Sequence, residues 1–147
     1  MDGLAARLEA DFKTAMKSQS PSLGLLRMLR SAIKNSEIEK KTSLSDEEVL
    51  DVLLKEAKKR RDAKKMYEEA GRPELAAQEN SELEIMEVYL PSAASAEEIA
   101  AAVVAEFAKV PGATQKDFGR LMGPLSKQFK GRVEPEVLMA AIRAKLN

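Results

Sequence analysis

Apolar residues along this chain recur every three or four positions, and no run alternates as a strand would. Leu4, Leu8, Phe12 and Met16 form a first stripe. Leu25, Leu26, Leu29 and Ile33 form a second, predicted to run to about Lys41. Ser20-Pro21-Ser22 puts a capping hydroxyl and a first-turn proline at the start of that second helix. Ser45 and Glu48 make a capping-box pattern before a third helix, which runs to Ala70 and ends at Gly71. Pro73 opens a fourth helix and Leu90-Pro91 closes it. The third helix spans about 25 residues, or roughly 37 Å, with the fourth lying back against it.

Pro91 to Ser95 is the one break in composition. Beyond it, Ser95 and Glu98 repeat the capping pattern before Ile99, Val103, Phe107 and Val110, and Pro111-Gly112 ends that helix. Thr114 caps the next segment, with Asp117 behind it. A last helix starts near Glu134-Pro135 and points Val137, Leu138, Ala141, Ile142 and Leu146 inward. The expected fold is all-α, with an N-terminal antiparallel helical domain over residues 1–92 that contains a long helical hairpin. A small helical tail domain over residues 93–147 follows. A domain of about 50 residues buries a limited share of its surface and is marginal in isolation.

Formal net charge is zero, but the two parts differ. Up to Leu90, 16 basic residues face 18 acidic ones, giving −2, and from Pro91 onward 8 face 6, giving +2. Nucleic-acid affinity, where present, is therefore local and salt-sensitive. The hairpin carries the basic run Lys58-Lys59-Arg60-Arg61 on one helix and Glu79, Glu82 and Glu84 on the other. Antiparallel register places Lys64 opposite Glu79, Arg61 opposite Glu82 and Lys59 opposite Glu84, so the run reads as an internally neutralised helix pair. Arg60 and Lys64 share a face with Val49, Leu53, Ala57 and Tyr67. Either their stems cover the core while their heads reach water, or the apolar stripe ends there.

The chain has no Cys and no His, which removes thiol nucleophiles, disulfides, the usual zinc sites and imidazole acid–base catalysis. It has no phosphate-binding P-loop and no dinucleotide fingerprint. Its carboxylates, including Glu47, Glu48, Glu97 and Glu98, read as caps and helix-dipole partners. No catalytic residue, cofactor or metal is expected. Met66, Met86, Met122 and Met139 fall at apolar helix positions and read as core. No apolar run approaches the roughly 20 residues of a membrane span, and the N-terminus lacks the basic-then-apolar order of a secretory signal. The expectation is a cytoplasmic protein without a membrane partner.

Residues 113–132 are the most constrained stretch. Phe118, Leu121, Met122, Leu125 and Phe129 lie on one helical face, interrupted by Gly119, Gly123 and Pro124, so two short helices with a break are expected. Lys116, Arg120, Lys127, Lys130 and Arg132 are left to solvent. Such a face is either an ordinary solvated surface or a contact for an RNA backbone.

Six segments carry a family resemblance. They are LRMLRSAIKNSEIEK (Leu26–Lys40), KEAKKRRDA (Lys55–Ala63), YEEAGR (Tyr67–Arg72), ELEIMEVYLP (Glu82–Pro91), DFGRLMG (Asp117–Gly123) and KGR (Lys130–Arg132). In this order the chain resembles the GatB/YqeY family, and most closely its free-standing YqeY-like members. The resemblance implies kinship with the C-terminal helical domains of the GatB component of the tRNA-dependent amidotransferase, whose tail recognises the body of the tRNA. It implies a tRNA-binding accessory role, with Lys116, Arg120, Lys127, Lys130 and Arg132 as RNA contacts. Amidotransferase subunits or an aminoacyl-tRNA synthetase are the protein partners it suggests. The alternative is a helical protein-interaction adaptor that does not bind RNA. A third reading, glutamine-dependent amidation by the chain itself, lacks the large catalytic part of GatB and the separate glutaminase subunit.

With neither an activated nucleophile nor an amidase or nucleotide motif, the purified protein should release no ammonia from glutamine. Ammonia release that survives repeated purification and scales with protein concentration would overturn this.

Overall fold

Side-chain capping marks the starts of two of the helices, at Ser45 and Ser95. The computed structural model describes residues 3–146, and among them lie seven α-helices, one 3-10 turn and no strand. The helices are α1 (Leu4–Ser18), α2 (Leu23–Lys40), α3 (Asp46–Glu69), α4 (Pro73–Glu87), α5 (Ala96–Ala108), α6 (Phe118–Gln128) and α7 (Pro135–Lys145). The 3-10 turn, Gln115–Asp117, leads into α6. Ser45 caps α3 in a full capping box: its hydroxyl accepts from Glu48 N–H, and the Glu48 carboxylate accepts from Ser45 N–H. Gly71, at φ +71°, turns the chain from α3 into α4 in a conformation that favours glycine. The start of α2 differs from expectation. Pro21 lies in the preceding turn, and Ser20 Oγ accepts from Ser22 N–H, so that hydroxyl closes the turn instead of capping the helix.

Backbone proximity divides the chain into two units, one ending at Leu90 and one beginning at Pro91. In the first, Leu8, Phe12, Leu29, Leu53 and Met86 belong to one apolar cluster drawn from α1 to α4. In the second, Val103, Leu121, Leu125, Phe129 and Ile142 form another, drawn from α5 to α7. The apolar stripes place most of these residues correctly, with three exceptions. Met16 is exposed and Ala15 takes its inward position, Val137 is exposed beside buried Leu138, and Met66 is 68% exposed. Each lies on the border of a stripe, where a one-residue rotation of about 100° moves a side chain out of the core.

The expected break at Pro124 does not occur: α6 runs through it unbroken. Proline inside a helix costs about 3 kcal/mol. Leu121, Leu125 and Phe129 are buried along the opposite face, each contributing about 2 kcal/mol, which together outweighs that cost. Gly123 helps, because a residue before proline is held out of the helical region partly by its own Cβ, and glycine has none. The carbonyl of Arg120, which would have accepted from residue 124, belongs to an exposed stretch of the helix that water can reach.

Helices α3 and α4 are antiparallel, but their charges meet differently from the expected pairs. Glu82 takes Arg60, at 2.8 Å, and Lys64 donates to Asn80 at 2.9 Å. Lys59 pairs within its own helix, with Glu56. Arg60 neither ends the stripe nor reaches water, since its side chain is 7% exposed. Its Nη1 donates to the Glu56 carbonyl and carboxylate, and its Nη2 donates to Met28 Sδ on α2 at 3.1 Å. The guanidinium thus ties three helices. Burial pushes the Glu56 carboxyl upward, but hydrogen bonds and charge from Arg60 and Lys59 outweigh it and hold the group below its ordinary value.

Were Glu82 part of an exposed pair, as charge spacing alone suggests, reversing its charge would cost about 1 kcal/mol at most. With Arg60 buried, Glu82→Lys should instead cost about 3 kcal/mol, because the guanidinium loses one carboxylate and meets a cation. Urea denaturation followed by helical circular dichroism measures this, and a loss below about 1 kcal/mol would show that Glu56 alone satisfies Arg60.

Candidate nucleic-acid interface

The second unit presents its cations on the side of α6 away from the core. Burying Leu121, Leu125 and Phe129 turns Gly119, Arg120, Gly123, Pro124 and Lys127 outward, and all five are exposed. Lys116, on the 3-10 turn, is exposed just before them. A Cβ added at Gly119 or Gly123 would touch nothing, so the surface between the cations is low and open. Arg120 is 73% exposed, and Asp117 lies 4.0 Å away at the limit of an ion pair. That carboxylate is already engaged by Thr114 N–H at 2.9 Å. Lys116, Arg120 and Lys127 therefore share one solvent face, and Lys130 is exposed beyond the end of α6.

Arg132 stands apart from the other four. The sequence places it on the solvent side of the Gly131 turn, whereas its side chain is only 28% exposed and has defined partners. Its Nε donates to the Ser92 carbonyl at 2.9 Å and its Nη2 to Glu98 at 2.8 Å. The Arg132 carbonyl in turn accepts from Ala94 N–H at 3.0 Å. This reciprocal pair straps residues 92–94 to the Gly131 turn, which takes its left-handed φ of +76° to allow it. The guanidinium also lies 5.9 Å from the Phe129 ring centroid. Arg132 thus shapes the turn that carries Lys130. The hydrogen bond from Arg132, with its charge and support from Ser95, lowers the Glu98 carboxyl below its ordinary value against a smaller opposing effect of desolvation.

One cation and one ring form a pair that the sequence does not reveal. Arg143, exposed in the last turn of α7, carries its guanidinium 5.0 Å from the centroid of the half-buried Phe118 ring. The sequence puts Phe118 on the apolar face of its helix, and no spacing links it to Arg143.

A mixed-charge cleft of about 510 Å³ between α2 and α3 is lined by Glu39, Lys40, Glu48, Asp51 and Lys55. Lys40 pairs with Glu48 across it, so it offers no field of a single sign to an anion. Among the described residues no group of three or more acidic side chains is placed to hold a metal ion, and no helix is long and apolar enough to cross a membrane.

The strap has a pH signature. Because the Glu98 carboxyl is lowered on folding, its stabilisation is full above the ordinary glutamate value and is lost as pH falls through the lowered one. The exchange protection of the Ala94 amide, corrected for intrinsic rate, should drop over that acid range. In Glu98→Gln it should start lower and change little, and equal acid profiles in the two proteins would exclude the coupling.

No curated protein matches the chain in sequence. The family model described as Yqey-like protein matches residues 5–146, a span that takes in both apolar clusters, the Arg60 tie and the basic face of α6, and on that match the chain belongs to the YqeY-like protein family.

Proposed function

We propose that this protein is a non-catalytic tRNA-binding accessory module, related to the glutamine-dependent amidotransferase through the tail domain its family shares with GatB. The observation that carries this reading is the low, open face of α6, where Lys116, Arg120 and Lys127 flank Gly119, Gly123 and Pro124 with no bulky side chain between. A phosphate backbone can approach such a face closely and meet a cation at each end. In this reading Lys116, Arg120, Lys127 and Lys130 contact phosphates, and Arg132 positions the turn that presents Lys130. The domain of residues 93–147 supplies the RNA surface, and that of residues 1–92 is the part available to an amidotransferase subunit or a synthetase. The chain works in the cytoplasm, where tRNA is charged.

The contacts carry little sequence information, because phosphates are alike in every tRNA. Replacing Arg120 and Lys127 with Ala should therefore weaken different tRNAs by similar factors. It should also flatten the slope of log affinity against log salt by about 0.7–0.9 for each phosphate contact removed. Filter retention of total tRNA across a salt series tests this, with circular dichroism to confirm the fold. Unchanged retention in the double variant would remove the face as a site. Absence of retention by the wild type at low salt would favour an adaptor that binds protein alone.

A further inference from the structure

Charge is segregated within the first unit. Helices α1 and α2 carry seven basic and four acidic residues, a net of +3, whereas α3 and α4 carry seven basic and thirteen acidic ones, a net of −6. Three of the four carboxylates on α1 and α2 already have partners. Glu9 accepts from Arg30 at 2.7 and 3.0 Å, Asp11 from the Tyr89 hydroxyl, and Glu37 from Leu44 N–H. Arg7 and Lys40 are engaged as well, by the Val88 carbonyl and by Glu48. Lys13, Lys17, Arg27 and Lys34 remain, all exposed, and among the described residues their side chains make no ion pair or hydrogen bond.

Helical spacing brings these four cations together. Residues 19–22 alone join α1 to α2, so the two helices run antiparallel, and the Glu9–Arg30 pair sets their register. Lys13 and Lys17 follow Glu9 in steps of four along one side of α1, and Arg27 and Lys34 lie three before and four after Arg30 along one side of α2. The result is two adjacent rows of cations beside that pair, spanning roughly 18 Å from Lys17 to Lys34 at 1.5 Å per residue. The Phe12 ring beneath Arg30 is 7% exposed, with the guanidinium 4.0 Å from its centroid, so it is closed to a nucleobase. The exposed apolar residues Met16 and Ile38 lie beyond opposite ends of the pair, roughly 22 Å apart by the same rise. A protein interface is anchored by apolar or aromatic side chains near its centre. Here the centre holds only charge, which suits a polyanion.

We propose that the α1–α2 face is a second phosphate-contacting surface, which takes the backbone of a paired RNA stem without reading its bases. A paired stem presents the denser phosphate charge, and this face has no ring on which an unpaired base could stack. The proposal rests on the RNA-binding reading given above and adds a site to it in the other unit.

The test is filter retention of total tRNA by the full chain across a salt series, with circular dichroism to confirm each fold. The variant Lys13→Ala, Arg27→Ala, Lys34→Ala should bind more weakly and flatten the slope of log affinity against log salt by about 2–3, at 0.7–0.9 for each contact. Lys55→Ala, Lys58→Ala, Lys59→Ala removes the same charge from α3 and should leave the slope unchanged. On the unmutated chain, bound tRNA should shield Lys13, Lys17 and Lys34 from acetylation more than Lys58 and Lys59, as read by mass spectrometry. An unchanged slope in the α1–α2 variant, an equal loss in the α3 variant, or no selective shielding would overturn the second surface. In each of those cases Arg120→Ala with Lys127→Ala would still weaken tRNA, leaving the α6 face intact. Unchanged tRNA retention in the α1–α2 variant, together with lost binding to vesicles rich in anionic phospholipid, would give the face to a membrane surface and also overturn the proposal. If the wild type retains no tRNA at low salt, the RNA reading itself fails and the second surface with it.

Discussion

Leu121, Leu125 and Phe129, four residues apart and each 2% exposed or less, form the seam on which the second unit depends. Their burial keeps α6 continuous through an internal proline. It also decides which residues are left outside. Once that stripe faces Val103, Leu138 and Ile142, the two glycines, the proline, Arg120 and Lys127 are left on the exposed side of the helix. The candidate interface is thus the complement of the core, and a change to the seam is a change to the interface.

The first unit is organised around a different constraint. Four helices with narrow apolar stripes pack well enough in many relative positions, so something directional must select one. Arg60 does this. Its guanidinium needs Glu82 on α4, Glu56 on its own helix and Met28 on α2, and sliding α4 by one turn would strip it of a partner inside a poorly hydrated site. Tyr89 provides a second directional contact where α4 ends. It is buried, donates to the Asp11 carboxylate on α1, and has its hydroxyl held protonated by desolvation and then by that hydrogen bond. Arg7 reaches over the same ring and donates to the Val88 carbonyl at 3.0 Å.

Features that depend on near neighbours in sequence are readable from the residues. The Ser45–Glu48 box, the Gly71 turn and the proline start of α4 are all local, and the structure has them. Pro124 misleads because the local cost of proline is visible in the sequence while the burial that offsets it is not. The basic run on α3 reads as neutralised, yet which arginine turns inward depends on the phase of the helix to within one residue, beyond what charge spacing resolves. Arg132 reads as a surface cation because its partners lie 34 and 40 residues away. The pairing of Arg143 is hidden for the same reason.

The glycines and proline on the exposed face of α6 have an entropic consequence. A lysine or arginine that grips a ligand gives up as much as about 2 kcal/mol of rotamer freedom, whereas glycine and proline have none to lose. A surface of two glycines and a proline, held by a buried seam beneath it, has little shape left to change on contact with a ligand. Association there should leave the helix unchanged, so its heat and its salt dependence would report the displaced ions and water instead of any refolding of the protein.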